Sequence, residues 1–160
     1  MKILVACDKF KGSLTAPEAC EAIKTGILEA SSNADLQIQL LPVADGGDGI
    51  ANALTVAQSG EWKTCDVQDA LGKSVIAGFG LIEERKTAVI EMATASGLAQ
   101  LSGRDLDPDK ANTFGTGELI LAAIAEEVEH VILGIGGSAT NDAGTGMASA
   151  LGWKFLDQDG

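Results

Sequence analysis

Short apolar runs in this chain repeatedly end in loops rich in glycine and aspartate that lead into helices, and that order restricts the fold more than any other feature. Ile3 to Cys7 runs into the loop Asp8 to Thr15, DKFKGSLT, and then into a helical pattern from Ala16 to Ala30. Pro17 sits in its first turn, and Ala19, Ala22, Ile23, Gly26 and Ile27 fall on one stripe. Leu36 to Val43 is a second strand, DGGDG (Asp45 to Gly49) the loop after it, and Ile50, Leu54 and Ala57 mark the next helix. This alternation implies a parallel sheet with right-handed crossovers, whose ligands gather at the carboxyl ends of the strands. The expected fold class is α/β, a Rossmann-like parallel sheet with helices on both faces.

Between Glu61 and Ala93 the pattern changes. Trp62 to Gln68, Ser74 to Ile82 and Thr87 to Ala93 predict three strands joined by turns at Asp69 to Lys73 and Glu83 to Lys86, an antiparallel meander. The expected organisation is a first α/β part at 1–60, a small, mainly antiparallel β insertion at 61–93 and an α/β segment at 94–160. That last segment holds a loop (Thr94 to Thr116), an apolar helix (Glu118 to Val128), a strand (His130 to Ile135), a glycine-rich loop and a helix (Gly144 to Leu151). Trp153 to Leu156 predicts a short strand, and the turn-like tail Asp157 to Gly160 is expected to lead to another.

The loop from Gly134 to Gly146, GIGGSATNDAGTG, suits phosphate: glycines bring backbone N–H groups close to an anion, and the following helix adds the partial positive charge of its N-terminus. It is not a Walker A loop, for no Gly-Lys-Ser/Thr occurs. It satisfies the loose dinucleotide form at Gly134, Gly136 and Ala139, with Asp157 as the ribose acid. However, Asn141 to Gly146 would break the first turns of the crossover helix that form requires. Asp45 and Asp48 bracket a Gly-Gly at a strand end, where they can bind Mg²⁺ or substrate hydroxyls, or simply cap the helix. The stretch fails the EF-hand pattern. Lys9 and Lys11, with Ser13 beside them, can meet a carboxylate or phosphate or remain solvated surface lysines. Thr113 to Glu118, TFGTGE, offers a second anion nest in which Thr116 is either a ligand or an N-cap.

Composition narrows the partners. A net charge of −12 without a basic run argues against nucleic acid, and no stretch approaches the roughly 18 apolar residues of a membrane span. The start lacks a signal-peptide core, so a cytoplasmic location is expected. Cys7, Cys20 and Cys65 form neither a CxxC pair nor an even set, and are expected as buried free thiols. His130, the single histidine, follows an acidic run and is expected at the surface.

Taken together, DKFKGSLT (Asp8 to Thr15), PVADGGDG (Pro42 to Gly49), NTFGTGEL (Asn112 to Leu119) and GIGGSATNDAGTGMASALG (Gly134 to Gly152) resemble, in order, the N-terminal part of the bacterial glycerate kinases that phosphorylate D-glycerate with ATP. The resemblance implies two α/β domains with glycerate and nucleotide meeting in the cleft, and Mg²⁺-dependent transfer to a glycerate hydroxyl, 2-phosphoglycerate being favoured. Members of that family are more than twice as long, and their C-terminal half completes the architecture. Such a transfer needs positioning and charge neutralisation. Lys9 and Lys11 are accordingly assigned to the anionic groups, and Asp45 and Asp48 to substrate hydroxyls or Mg²⁺. Gly136, Gly137, Ser138, Thr140 and Asn141 form the phosphate loop, with Ser13 and Thr116 as further binding residues and Asp142 as the base. The partners implied are small molecules, and a homo-oligomer is compatible with them. The rival readings are an NAD- or nucleotide-binding domain without kinase activity, and an inactive remnant.

Overall fold

The computed structural model describes residues 1–10, 13–32, 35–44, 46–47, 49–101 and 106–158. Lys11, Asp45 and Asp48 lie outside the described residues. The elements run β1 (Lys2–Val5), α1 (Ala16–Ala30), β2 (Gln37–Leu40), α2 (Ile50–Ala57), β3 (Glu61–Gln68), β4 (Ser74–Ile82), β5 (Thr87–Glu91), α3 (Ala93–Ser96), α4 (Phe114–Ala125), β6 (His130–Gly134) and α5 (Thr145–Ala150). The chain is α/β, as expected.

Strands β1 and β2 pair in parallel as a two-stranded sheet, with Lys2 opposite Gln37 and Val5 opposite Leu40. The other sheet has the order β3-β4-β5-β6: the first two pairings are antiparallel, while β5 and β6 run parallel with Thr87 opposite His130. The meander strands of 61–93 therefore share one sheet with the strand that feeds the glycine-rich loop. Alternation along β4 and β5 divides the core between the two faces of this sheet. Ala77, Phe79, Leu81, Ala88 and Ile90 meet Leu119 and Ala123 of α4, whereas Ile82 and Val89 meet Ala51 of α2. Each large side chain buried there contributes about 1.5–3 kcal/mol relative to exposure.

Helix α1 begins where Thr15 and Glu18 form a capping box, the Glu18 carboxylate accepting the Thr15 N–H at 2.8 Å. Of its expected stripe, Ala19 is buried beside Cys20, while Ile23 is 41% exposed. Two expectations need correction. Trp153 to Leu156 forms no strand: no strand among the described residues pairs with it, and Trp153, Phe155 and Leu156 are largely exposed. The loop expected over Thr94 to Thr116 contains α3, a 3₁₀ turn at Leu98–Gln100 and the first turn of α4.

The glycines that lower helix propensity at the start of α4 are there for close packing. A Cβ on Gly115 would lie 1.8 Å from the Gln68 carbonyl oxygen of β3, and one on Gly117 would lie 2.6 Å from the Ala150 Cβ. Gly115→Ala is therefore expected to destabilise the protein: about 1 kcal/mol of helix preference is gained, but overpacking against backbone costs about 1–3 kcal/mol or more. Urea unfolding measures the difference, and a stabilised variant would contradict the packing argument.

Candidate active site

Three loops meet at the carboxyl ends of the parallel strands. The first leaves β1, whose ladder to β2 continues past the strand through Val43 N–H to the Cys7 carbonyl at 3.1 Å. Asp8 accepts the Lys9 N–H at 2.7 Å, and mutual backbone bonds between Phe10 and Leu14 close a turn on which Ser13 is exposed. The second loop, after β2, turns through Gly46 and Gly49 at φ of 92° and 100°, where side chains are disfavoured. The third follows β6.

These loops touch through bare backbone. A Cβ on Gly136 would lie 2.4 Å from the Gly47 Cα, and one on Gly134 would lie 2.8 Å from the Ile50 Cγ2. Beyond that contact, the Gly137 carbonyl accepts the Leu98 N–H and the Ser96 carbonyl accepts the Ala139 N–H, both at 2.9 Å. The N–H groups of Gly136, Gly137 and Ser138 bond no described residue. The Ser138 and Thr140 hydroxyls lie 2.8 Å apart, and Asn141 is exposed beside them. A cleft of about 380 Å³ opens between the first two loops, lined by Asp8, Lys9, Thr15, Pro42, Gly49 and Asn52 among others. Lys9 is the cation lining it among the described residues. Lys24, Lys63, Arg85, Lys86 and Lys110 pair with acids elsewhere.

Glu91, at the end of β5, is the residue that sequence analysis missed. Its carboxylate, 6% exposed, accepts the Gly49 N–H at 2.9 Å and the Ala51 N–H at 2.7 Å, so it supplies the cap that α2 lacks from its own side chains. The one available signal was an acid following the apolar run Ala-Val-Ile in the strand TAVIE.

Asp142, expected as the base, is held by hydrogen bonds from two other segments. Its Oδ2 accepts the Thr113 N–H (2.9 Å), the Thr113 hydroxyl (2.8 Å) and the Gly146 N–H (2.9 Å), and Gly144 N–H approaches Oδ1 at 3.4 Å. Partial burial opposes its ionisation, but these bonds outweigh that and hold the carboxyl below its ordinary value. Three donors converge on Oδ2, and among the described residues Oδ1 has only the 3.4 Å approach of Gly144. Asp142 is the anion that fills the nest expected at TFGTGE, and it occupies the start of α5 as well. The expectation that the helix after the loop offers its N-terminus to phosphate is corrected on the same ground. Thr116 is likewise neither ligand nor cap: it is fully buried within α4, its hydroxyl 2.8 Å from that of Ser96, and the N-cap position belongs to Thr113.

Among the described residues no three His, Cys, Asp or Glu side chains stand together as a metal cluster. Mg²⁺ commonly takes only one or two protein carboxylates, completing its shell with water and phosphate. Asp8 is a described carboxylate that lines the cleft. No described helix is long and apolar enough to cross a membrane.

A family model described as the glycerate kinase family matches residues 3–160. The glycerate kinase of Halalkalibacterium halodurans is 46% identical over 99% of this chain and 41% of its own length. The glycerate 2-kinase of Escherichia coli is 45% identical over 100% of this chain and 42% of its own. The crystal structure of a Salmonella typhimurium LT2 protein assigned as glycerate kinase 2 superposes with a TM-score of 0.85 at 46% identity, covering 100% of this chain and 42% of that one. The chain spans about two-fifths of the length of the relatives it matches.

Asp142→Asn removes the charge on which two N–H groups and a hydroxyl converge, and is expected to cost about 1.5–3 kcal/mol in urea unfolding at neutral pH. A folded pKa below the unfolded one means that the unfolded chain binds more protons in the window between them, so stability rises with pH there. The contribution is complete above about 3.9, the ordinary aspartate value, and is lost as pH falls through the lowered folded value. The variant should lack that acid-side loss. An unchanged stability would remove Asp142 as the tie between α4 and α5.

Proposed function

Since the chain belongs to the glycerate kinase family, we infer that it forms the glycerate- and nucleotide-binding wall of a kinase that transfers the γ-phosphoryl group of ATP to D-glycerate, giving 2-phosphoglycerate and ADP in the cytoplasm. The observation that carries this reading is the convergence of Asp8 and Lys9, the Gly46-Gly47 backbone and the Gly136 to Thr140 loop at one end of the parallel strands. Lys9 and Lys11 neutralise the phosphates or the glycerate carboxylate. The open N–H groups of Gly136, Gly137 and Ser138, with the hydroxyls of Ser138 and Thr140 and the amide of Asn141, receive phosphate oxygens. Asp45 and Asp48 hold substrate hydroxyls or, with Asp8, Mg²⁺, which when bound offsets phosphate charge. With Asp142 engaged in structure, orientation and deprotonation of the attacking hydroxyl fall to Asp45. A dinucleotide reading is not favoured, because Asp142 already occupies the start of the helix where a pyrophosphate would sit.

The test is ADP release in the presence of D-glycerate and Mg-ATP, measured on this chain and on a form of the relatives' length. Absence of release from the longer form would sink the reading, and phosphorus NMR of the product assigns the hydroxyl. Lys9→Ala in the longer form is expected to lower kcat/KM about a hundredfold, the scale of losing one preorganised charge-stabilising group. A value within twofold of the parent would take Lys9 out of the site.

A further inference from the structure

The Cys7 and Cys20 sulfurs lie 3.1 Å apart between the end of β1 and the second turn of α1. Cys20 is fully buried, its Sγ 3.8 Å from the Val5 carbonyl, whereas Cys7 is half-buried. Both are free thiols, as is Cys65 on β3 in the other sheet. A disulfide needs a sulfur–sulfur distance of about 2.05 Å, so closure requires a movement on the order of 1 Å. The backbone on both sides is held, by the Val43 N–H on the Cys7 carbonyl and by the helix around Cys20.

We propose that Cys7 and Cys20 form a vicinal-in-space dithiol that small disulfides oxidise to an intrachain Cys7–Cys20 bond, a covalent modification site at the root of the cleft. The accessible Cys7 thiolate attacks a disulfide R–S–S–R, forming a mixed disulfide and releasing one thiolate. Cys20 then loses its proton and attacks the Cys7 sulfur, forming the intrachain bond and releasing the second thiolate. Two protein thiols are oxidised and one small disulfide is reduced to two thiols, which take up the two protons. The hydrogen bond to Cys20, followed by burial and neighbouring charge, raises the Cys7 thiol above its ordinary value, so the first step is slow at neutral pH.

The consequence is local. Cys7 immediately precedes Asp8 and Lys9, while the first turn of the helix that carries Cys20 provides Thr15 and Pro17 on the cleft wall. The bond ties the loop between them at both ends. This inference stands independently of phosphoryl transfer.

The reduced 160-residue protein, incubated with oxidised glutathione and quenched with acid, is expected to lose the mass of two hydrogen atoms. Cys7 and Cys20 should appear in one cross-linked peptide pair, and Cys65 should still alkylate fully in denaturant. Cys20→Ala is expected to stop with one glutathione on Cys7, and Cys7→Ala to show no cross-link. Equal alkylation of all three cysteines after oxidation, or a cross-link through Cys65, overturns the proposal. The unmutated protein decides this by itself, so the test survives a variant that fails to fold.

Discussion

Bare backbone contact between Gly136 and Gly47 is the constraint on which the candidate site depends. Two loops from different sheets reach the same place only because neither carries a Cβ there; a methyl group on Gly136 would stand 2.4 Å from the opposing Cα. Such an approach leaves little side-chain burial to hold it, so the loops are fastened from behind by carboxylates. Glu91 grips the loop that contains Gly47 through the Gly49 and Ala51 N–H groups, and Asp142 grips the far end of the other through Thr113 and Gly146. Each uses a charge on the partially positive start of a helix, the arrangement in which a buried or half-buried carboxylate is best compensated.

That fastening changes where an anionic ligand can bind. The first N–H groups of α2, α4 and α5 already face protein oxygens, and α1 carries its own capping box. Under the proposed function, recognition of phosphate falls instead to the N–H groups of Gly136 to Ser138, which bond no described residue, to nearby hydroxyls and to Lys9. In a chain with a net charge of −12, whose described cations mostly pair with acids away from the cleft, that leaves a narrow and local source of positive charge.

Regular elements were legible where one local force dominates. Helix α1 matches its expected bounds because Pro17 and the apolar spacing agree, and β4 matches because nine residues alternate between two buried faces with turn residues at both ends. The start of α4 was missed because Gly115 and Gly117 oppose helix locally, while contacts with β3 and α5 decide in its favour. Trp153 to Leu156 has the composition of a strand, but no described strand pairs with it. Asp142 is an acid in a glycine-rich loop, and only distances show that its Oδ2 ties Thr113 to Gly146. Glu91 stayed hidden because its partners lie about 40 residues earlier in the chain.

The sequence by itself determined the α/β class, the order of β1 to β6 and of the longer helices, the family and the loops that gather at the strand ends, because periodicity, turn chemistry and motif order are local properties. Tertiary structure alone decided which loops touch, which carboxylates are structural, that β6 joins the meander strands in one sheet, and that two cysteines 13 residues apart stand sulfur to sulfur. Those outcomes come from long-range packing and hydrogen-bond saturation, which depend on where remote backbone lies and leave no spacing rule in the chain.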